Sequence, residues 1–330
     1  MEGVAMSEFW RGRRVLVTGG TGMIGSWLVK ELLQEKAMPV LLIHDADPQS
    51  ELYRSKDVDK CCIVNGALED YWTVERAVNE HEIATVIHLG AQTIVGTAYR
   101  SPLPTFEANI RGTYNVMEAC RVHAKVVKEV VVASSDKAYG TQKQLPYTEE
   151  MSLIGRQPYE VSKSCADLIA QSYFHTYQTP VAIARCGNIY GGGDLNWNRI
   201  VPGTIRSLLQ KEQPEIRSDG GYVRDYIFVK DIARAYMQLA EQLANDGVRG
   251  EAFNFSTESP LTVLELVRSI QKSLKMEDVG VRILNQAEGE IHSQSLSAGK
   301  AKKILGWSAN FDLHRGLNET IDWYKAFLDF

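Results

Sequence analysis

A short apolar run, Arg14-Val15-Leu16-Val17-Thr18, meets Gly19-Gly20-Thr21-Gly22-Met23-Ile24-Gly25, and Trp27-Leu28-Val29 and Leu32-Leu33 then recur at helical spacing. Strand, glycine turn and helix in that order constrain the chain more than any other stretch. Glycines let backbone N–H groups approach a pyrophosphate, and a helix N-terminus adds partial positive charge. The pattern predicts a nucleotide-binding unit at the start of an α/β domain, with Gly19, Thr21, Gly22, Met23, Ile24 and Gly25 lining the cofactor. A tight turn with no ligand is the bland alternative, and the strand and helix on either side argue against it.

The following segments continue an alternation of strand and helix. Val40-Leu41-Leu42-Ile43 reads as a second strand ending in His44-Asp45-Ala46-Asp47. An acid about 20 residues beyond the glycines is where a cofactor ribose is bound. Asp45 fits that place and favours NAD; no basic residue suited to a 2′-phosphate comes before Arg54, and NADP stays open. Cys61 to Val64 reads as a third strand and Thr85 to Leu89 as a fourth. The fourth runs into Gly90-Ala91-Gln92, which are suited to close passage of a cofactor, so Leu89 and Ala91 join the cofactor set and Gln92 the substrate set. His88 is expected to be buried and hydrogen-bonded, not catalytic. Pro104 to Cys120 has helical spacing and holds Asn109 and Gly112-Thr113.

The stretch from Lys128 to Lys163 carries the candidate chemistry. Val130-Val131-Val132-Ala133 reads as a buried strand leading into Ser134-Ser135-Asp136-Lys137-Ala138-Tyr139-Gly140, and Pro158 reads as a helix opening just before Tyr159. On that helix Tyr159 and Lys163 are four apart and share a face, so the ammonium can lower the phenol's pKa and bind a ribose. A tyrosine and a lysine at this spacing are common on helix surfaces; the strand-end polar residues give the pair its weight. Leu168 to Tyr177 continues the helix, Pro180 stops it, and Val181 to Arg185 is another strand.

Beyond Cys186 the alternation loosens. Asn196 to Pro202 and Ile216 to Tyr226 are polar, aromatic and arginine-bearing, and Arg199, Arg217 and Arg224 offer planar forks for phosphate. Val229 to Leu239 and Ala252 to Phe255 look like a return to the first domain. Thr262 to Leu274, Ser297 to Trp307 and Leu313 to Leu328 read as helical, with Val281 to Leu284 a short strand. The expected class is α/β. A Rossmann-type doubly wound parallel sheet covers 1–190, with 229–257 returning to it, and a smaller, mainly helical C-terminal substrate lobe covers 191–330.

Composition narrows the function. With 330 residues, 44% apolar and 23% charged, the chain can bury a sizeable core, and its net charge of −5 argues against a general nucleic-acid or membrane-surface binder. No apolar run approaches the ~18 residues of a membrane span. Met1 to Phe9 lacks the charged-then-apolar order of a secretion signal, so a cytoplasmic location is expected. Five cysteines, odd in number and without a C-x-x-C pair, imply no disulfide framework and no metal site, but small reduced residues at or near the core.

Gly19-x-x-Gly22-x-x-Gly25 resembles the short-chain dehydrogenase/reductase superfamily, and the length suggests its extended branch. With strand-end Ser135, Tyr159, Lys163 and Gly187-Asn188 following in order, nearly the whole chain resembles the members that act on nucleotide sugars. That resemblance implies that Leu68 packs on the adenine, with Ala67 where an acid usually stands, that Asn109 props the active-site backbone, and that Asn188 meets the substrate. It also implies a cycle in which Tyr159 takes the proton of a sugar C4 hydroxyl oriented by Ser135 while C4 gives hydride to NAD.

Two outcomes of that cycle differ in what they need. An epimerase turns its 4-keto sugar over and returns the hydride to the other face; a 4,6-dehydratase must also remove the C5 proton and expel the C6 hydroxyl. Ser135-Asp136-Lys137 is similar to the Ser-Asp-Lys of CDP-glucose 4,6-dehydratases, which implies that Asp136 protonates the leaving oxygen and Lys137 holds the place of the C5 base. Phe9-Trp10-Arg11-Gly12, Gly25-Ser26-Trp27-Leu28 and Gly191-Gly192-Gly193-Asp194 resemble the same enzymes. Gly20 and Ile24 stand where those enzymes carry histidine and lysine, and 221–225 is closer to epimerases and to dehydratases of other nucleotide sugars. A 4,6-dehydratase is expected first, a 4-epimerase second, and a silent dinucleotide-binding protein third. Resembled enzymes pair two helices with their copies, so a homodimer is expected through the helices of Tyr159 and of Pro104 to Cys120, with Leu168, Ile169 and Val116 as surplus apolar residues.

Overall fold

Seven parallel strands form the central sheet of the computed structural model, which describes residues 8–286 and 290–330. In spatial order they are Ala252–Phe255, Val181–Cys186, Glu129–Ala133, Thr85–His88, Arg14–Thr18, Met38–Ile43 and Cys62–Asn65. Period-two alternation explains their composition. Val15, Val17, Val131, Ala182 and Ala184 face one core, and Leu16, Val130, Val132, Val181 and Ile183 face the other. A parallel sheet buried on both sides needs such nearly continuous apolar runs.

Helices Met23–Gln34 and Val229–Glu241 cover the first face through Leu28, Val29, Leu32, Ile232 and Tyr236. Helices Tyr71–Glu80, Gly112–Val122 and Pro158–Tyr177 cover the second. The strand order reverses between Arg14–Thr18 and Thr85–His88, so a crevice opens beyond their carboxyl ends, where ligands of such sheets bind. A separate core joins helices Ile200–Leu209, Val263–Leu274 and Leu313–Leu328 to Tyr190, Tyr226 and Phe228. Among the described residues no helix is long and apolar enough to cross a membrane. Met1 to Ser7, most of the stretch read above for a secretion signal, lie outside the described residues.

Several expectations need correction. Ser297 to Trp307 is not one helix: 290–298 runs extended, bridged at Val223↔Ser293 and Tyr147↔Leu296, and only 299–305 is helical, closing in the π turn Ala301–Leu305. Among the described residues the C-terminal half also holds three short ladders, Asn188–Tyr190 with Tyr226–Phe228, Val223–Arg224 with Leu261–Thr262, and Glu215–Ile216 with Arg282–Ile283. The helix expected from Pro104 starts at Pro102 and passes through a π turn at Glu107–Arg111. Val116 is fully buried against the sheet and Ile169 packs half-buried on the same core, so neither is surplus apolar surface. Cys120 and Cys186 are buried as expected, but Cys62 is exposed because its strand edges the sheet.

Candidate active site

Three glycines bring the ends of the two central strands together. Gly19 has φ +72°, and a Cβ there would lie 2.8 Å from the Gly90 nitrogen; one on Gly25 would lie 2.1 Å from the Gly19 carbonyl oxygen. Thr18 reinforces the junction, its Oγ1 accepting from Gly90 N at 2.9 Å. The helix Met23–Gln34 starts at Gly22 with no side-chain cap and no acidic residue in its first turn. Its leading N–H groups and positive dipole end are thus left for an anion. Leu68 packs beside this cradle, its Cδ1 2.7 Å and its Cβ 2.8 Å from where side chains on Gly90 and Gly112 would begin. Leu89 packs on the adjacent core, Ala91 is half-buried, and Asp45 is exposed just past Met38–Ile43, 3.8 Å from His44 Nε2. Glycine cradle, helix terminus and strand-end acid fit a dinucleotide.

The polar turn sits at the end of strand Glu129–Ala133. Ser135 caps the 3₁₀ turn Asp136–Tyr139: its Oγ accepts from Lys137 N at 3.2 Å and donates to Asp136 Oδ1 at 3.1 Å. Asp136 is buried and Lys137 half-buried. Gly140 closes the turn at φ +62°, where a Cβ would lie 2.7 Å from the Ile154 carbonyl oxygen.

Pro158 opens the facing helix, as its fixed φ suits the first helical position, and a capping box between Gln157 and Glu160 holds that end. One turn in, Lys163 Nζ donates to the Ala133 carbonyl at 2.9 Å. The π turn at Glu107–Arg111 presents Asn109, whose Oδ1 accepts from Gln92 N at 2.7 Å and whose Nδ2 donates to Gln92 O at 3.0 Å and Ser162 Oγ at 2.9 Å. Asn109 therefore does prop backbone beside the site. His88 is buried, sharing hydrogen bonds with Thr18 Oγ1 at 2.7 Å and Thr113 Oγ1 at 3.1 Å, and burial holds its pKa down at about 3.

Burial dominates the electrostatics of the site. Burial pushes the Tyr159 phenol up to about 12, against the lowering effects of Arg199 and Ser135. Burial lowers Lys163 to about 8. Burial also lowers Lys137, with Arg224 adding to the shift against the raising effect of Asp136.

The arginines separate. Arg224 is buried, its Nη1 donating to the Val223 and His292 carbonyls at 2.9 and 3.0 Å, with Glu290 3.5 Å from Nη2. Arg199 meets Asp194 at 3.1 Å and Thr93 at 3.2 Å. Arg217 is exposed, its Nη2 donating to the Asn198 carbonyl at 3.2 Å, and no hydrogen bond ties it to the polar turn. Asn188 donates its N–H to the Asp225 carbonyl at 2.7 Å, and Gln92 is exposed.

Sequence reasoning missed the buried polar layer beneath the turn. Arg185 holds Asp167 through two bonds of 2.8 and 2.9 Å and reaches Tyr139 Oη at 2.9 Å; Tyr139 donates to Asn254 Oδ1 at 2.8 Å. It also missed Gln294, which meets Lys137, and Asp225, raised by burial. An arginine and an asparagine inside otherwise apolar strands were the available signals.

A doubly wound sheet with a glycine cradle at its switch point, and Tyr159 and Lys163 one helical turn apart facing strand-end Ser135, defines an extended short-chain dehydrogenase/reductase. The model of the family described as GDP-mannose 4,6 dehydratase matches residues 16–320, and the chain belongs to that family. It is 29% identical to the CDP-glucose 4,6-dehydratase of Salmonella typhimurium, over 97% of this chain and 93% of that protein. It is 31% identical to the UDP-glucose 4-epimerase of Bacillus subtilis, over 92% and 94%. The crystal structure of DesIV, a dTDP-glucose 4,6-dehydratase from Streptomyces venezuelae with NAD bound, superposes with a TM-score of 0.84 at 28% identity, covering 95% of this chain and 97% of that one.

Proposed function

We propose that this protein is an NAD-dependent nucleotide-sugar 4,6-dehydratase, converting an NDP-hexose to the 4-keto-6-deoxy sugar and water. The observation that carries this reading is the placing of buried Asp136 and half-buried Lys137 on the turn directly after Ser135, at the same strand end as Tyr159 and Lys163. The likeness to dehydratases over almost the whole chain, one of them crystallised with NAD, supports it.

NAD would be held by the glycine cradle, Asp45 and Lys163, and would supply the hydride acceptor for C4 and the donor for C6. Tyr159 takes the C4 hydroxyl proton, and Ser135 orients that hydroxyl. A phenol at about 12 is a poor base at neutral pH, so the full site must lower it. Once C4 is a ketone the C5 hydrogen is acidic. Lys137, its pKa lowered by burial, takes that proton as the amine, and Asp136 gives a proton to the C6 oxygen, whose bond to carbon breaks to release water and leave a C5–C6 double bond. C6 then takes the hydride and Lys137 returns its proton to C5, giving the 4-keto-6-deoxy sugar. Arg224 and Arg199 hold the substrate's phosphates, and Gln92 and Asn188 contact its sugar.

A 4-epimerase is the second reading, favoured by the 31% identity to such an enzyme. It leaves Asp136 and Lys137 without a chemical task. Incubation with CDP-, UDP-, dTDP- and GDP-hexoses, followed by mass spectrometry, should find one product lighter by one water; C4 epimers alone would overturn the first reading.

The active form is a homodimer built on the helices Gly112–Val122 and Pro158–Tyr177. With Val116 and Ile169 packed on the core, the supporting surface is Leu168, Tyr114, Leu103 and Tyr177, large apolar residues left exposed on these and adjoining turns.

A further inference from the structure

Lys137 Nζ donates to the side-chain oxygen of Gln294, the single hydrogen bond its nitrogen makes among the described residues. Gln294 is fully buried, on the extended segment that follows Glu290. Its position is fixed from both sides. Gln294 N donates to Val223 O at 3.1 Å, Tyr147 N donates to Ser295 O at 2.8 Å, and Leu296 N donates to Asp225 Oδ2 at 3.3 Å. The other half of the amide, Nε2, is buried, and the side chain also faces Tyr147, whose phenol burial pushes up and a hydrogen bond from Gln294 pulls down. Burying a whole amide costs desolvation that an apolar side chain of similar size would avoid. A filling role therefore explains Gln294 poorly, whereas its contact with Lys137 explains it well.

The chemistry of the acceptor matters. A carboxylate against Nζ would fix the lysine as ammonium, which cannot take a proton. An amide oxygen is neutral, so it can hold one N–H of the free amine, leave the lone pair directed elsewhere, and favour the charged form far less. The charged groups around Lys137 are mixed: Asp136 on its own turn and Glu290 and Glu160 from other elements raise its proton affinity, and Arg224 lowers it.

We propose that Gln294 is a positioning residue that orients the Lys137 amine through a neutral acceptor and keeps its proton exchangeable. The proposal rests on the dehydratase reading for its purpose, and its test is separable from that reading. In the NAD-loaded protein, the pH dependence of Lys137 acetylation by acetic anhydride, read by peptide mass spectrometry, reports the amine directly. Gln294→Glu should move the midpoint up by a pH unit or more, and Gln294→Met, similar in size, should move it measurably in the other direction. Given a substrate, Gln294→Met should slow water release at least tenfold with KM within about threefold, while cofactor reduction in a single turnover slows far less. A midpoint unmoved in Gln294→Glu, or equal slowing of both steps in Gln294→Met, would overturn the assignment. If the wild type releases no water from any nucleotide sugar while the midpoint still moves, the dehydratase reading falls and the positioning role stands.

Discussion

Replacing Arg185 by methionine should strip a cation from one of the driest places in the molecule. Arg185 is 3% and Asp167 0% exposed, and the guanidinium makes two bonds to that carboxylate, one to Tyr139 Oη and one to the Glu149 carbonyl at 3.2 Å. Deleting one partner of a buried pair leaves an uncompensated charge, at about 3–5 kcal/mol. Against a total stability of about 5–15 kcal/mol, that is a large share. Replacing both partners, Arg185→Met with Asp167→Leu, removes the orphan charge, and apolar substitutes for buried pairs are often close to neutral. The double variant should therefore recover at least half of the loss. Urea titration followed by tryptophan fluorescence measures both, and a loss under about 1 kcal/mol for the single change, or a double variant worse than the single, would refute the reasoning.

Arg224→Ala should raise the KM for the nucleotide sugar about 10-fold to 100-fold, the scale of a lost charge-assisted bond, and leave NAD affinity nearly unchanged; equal loss of both would count against a phosphate role. Sedimentation at micromolar concentration should find a dimer, with Leu168→Glu shifting it to monomer; a monomeric wild type would end the dimer proposal. Lys163, lowered by burial from 10.5 to about 8 in the folded chain, binds fewer protons folded than unfolded between those values. Its contribution must make stability rise with pH across that window. Denaturation midpoints of wild type and Lys163→Met, compared from pH 7 to 10, should diverge with that sign, and a constant difference would contradict it.

How much was readable in advance depended on whether a residue's partner lay nearby in sequence. Glycine turn, apolar runs and Pro158 report local geometry, and the strands at Arg14–Thr18, Glu129–Ala133 and Val181–Cys186 and helix Leu313–Leu328 fall within a residue or two of their expected places. Ladders such as Val223–Arg224 with Leu261–Thr262 exist because the surrounding fold aligns them, and two residues carry no period to detect. Val116 appeared surplus because helical spacing alone cannot distinguish a face packed on the sheet from one offered to a partner; the three-dimensional position of the sheet decides. Spacing put Tyr159 and Lys163 on one face, but it could not show that the Ala133 carbonyl holds the amine or that burial raises the phenol. Gln294 lies 157 residues from Lys137, beyond any local pattern.

The central claim, that Asp136 serves elimination and not oxidation, is tested most directly by Asp136→Asn in a single turnover with an accepted nucleotide sugar. Cofactor reduction would be followed by absorbance, and water release with solvent deuterium entry at C5 by mass spectrometry. Asp136 is buried against Ser135 Oγ, and asparagine keeps the shape while removing the transferable proton. Reduction should persist, because Tyr159, Lys163 and Ser135 remain, and water release should fall by about 10²-fold or more, the scale of a lost general acid. If the wild type interconverts C4 epimers without losing water, and Asp136→Asn does so equally well, the dehydratase account is wrong and the epimerase reading replaces it.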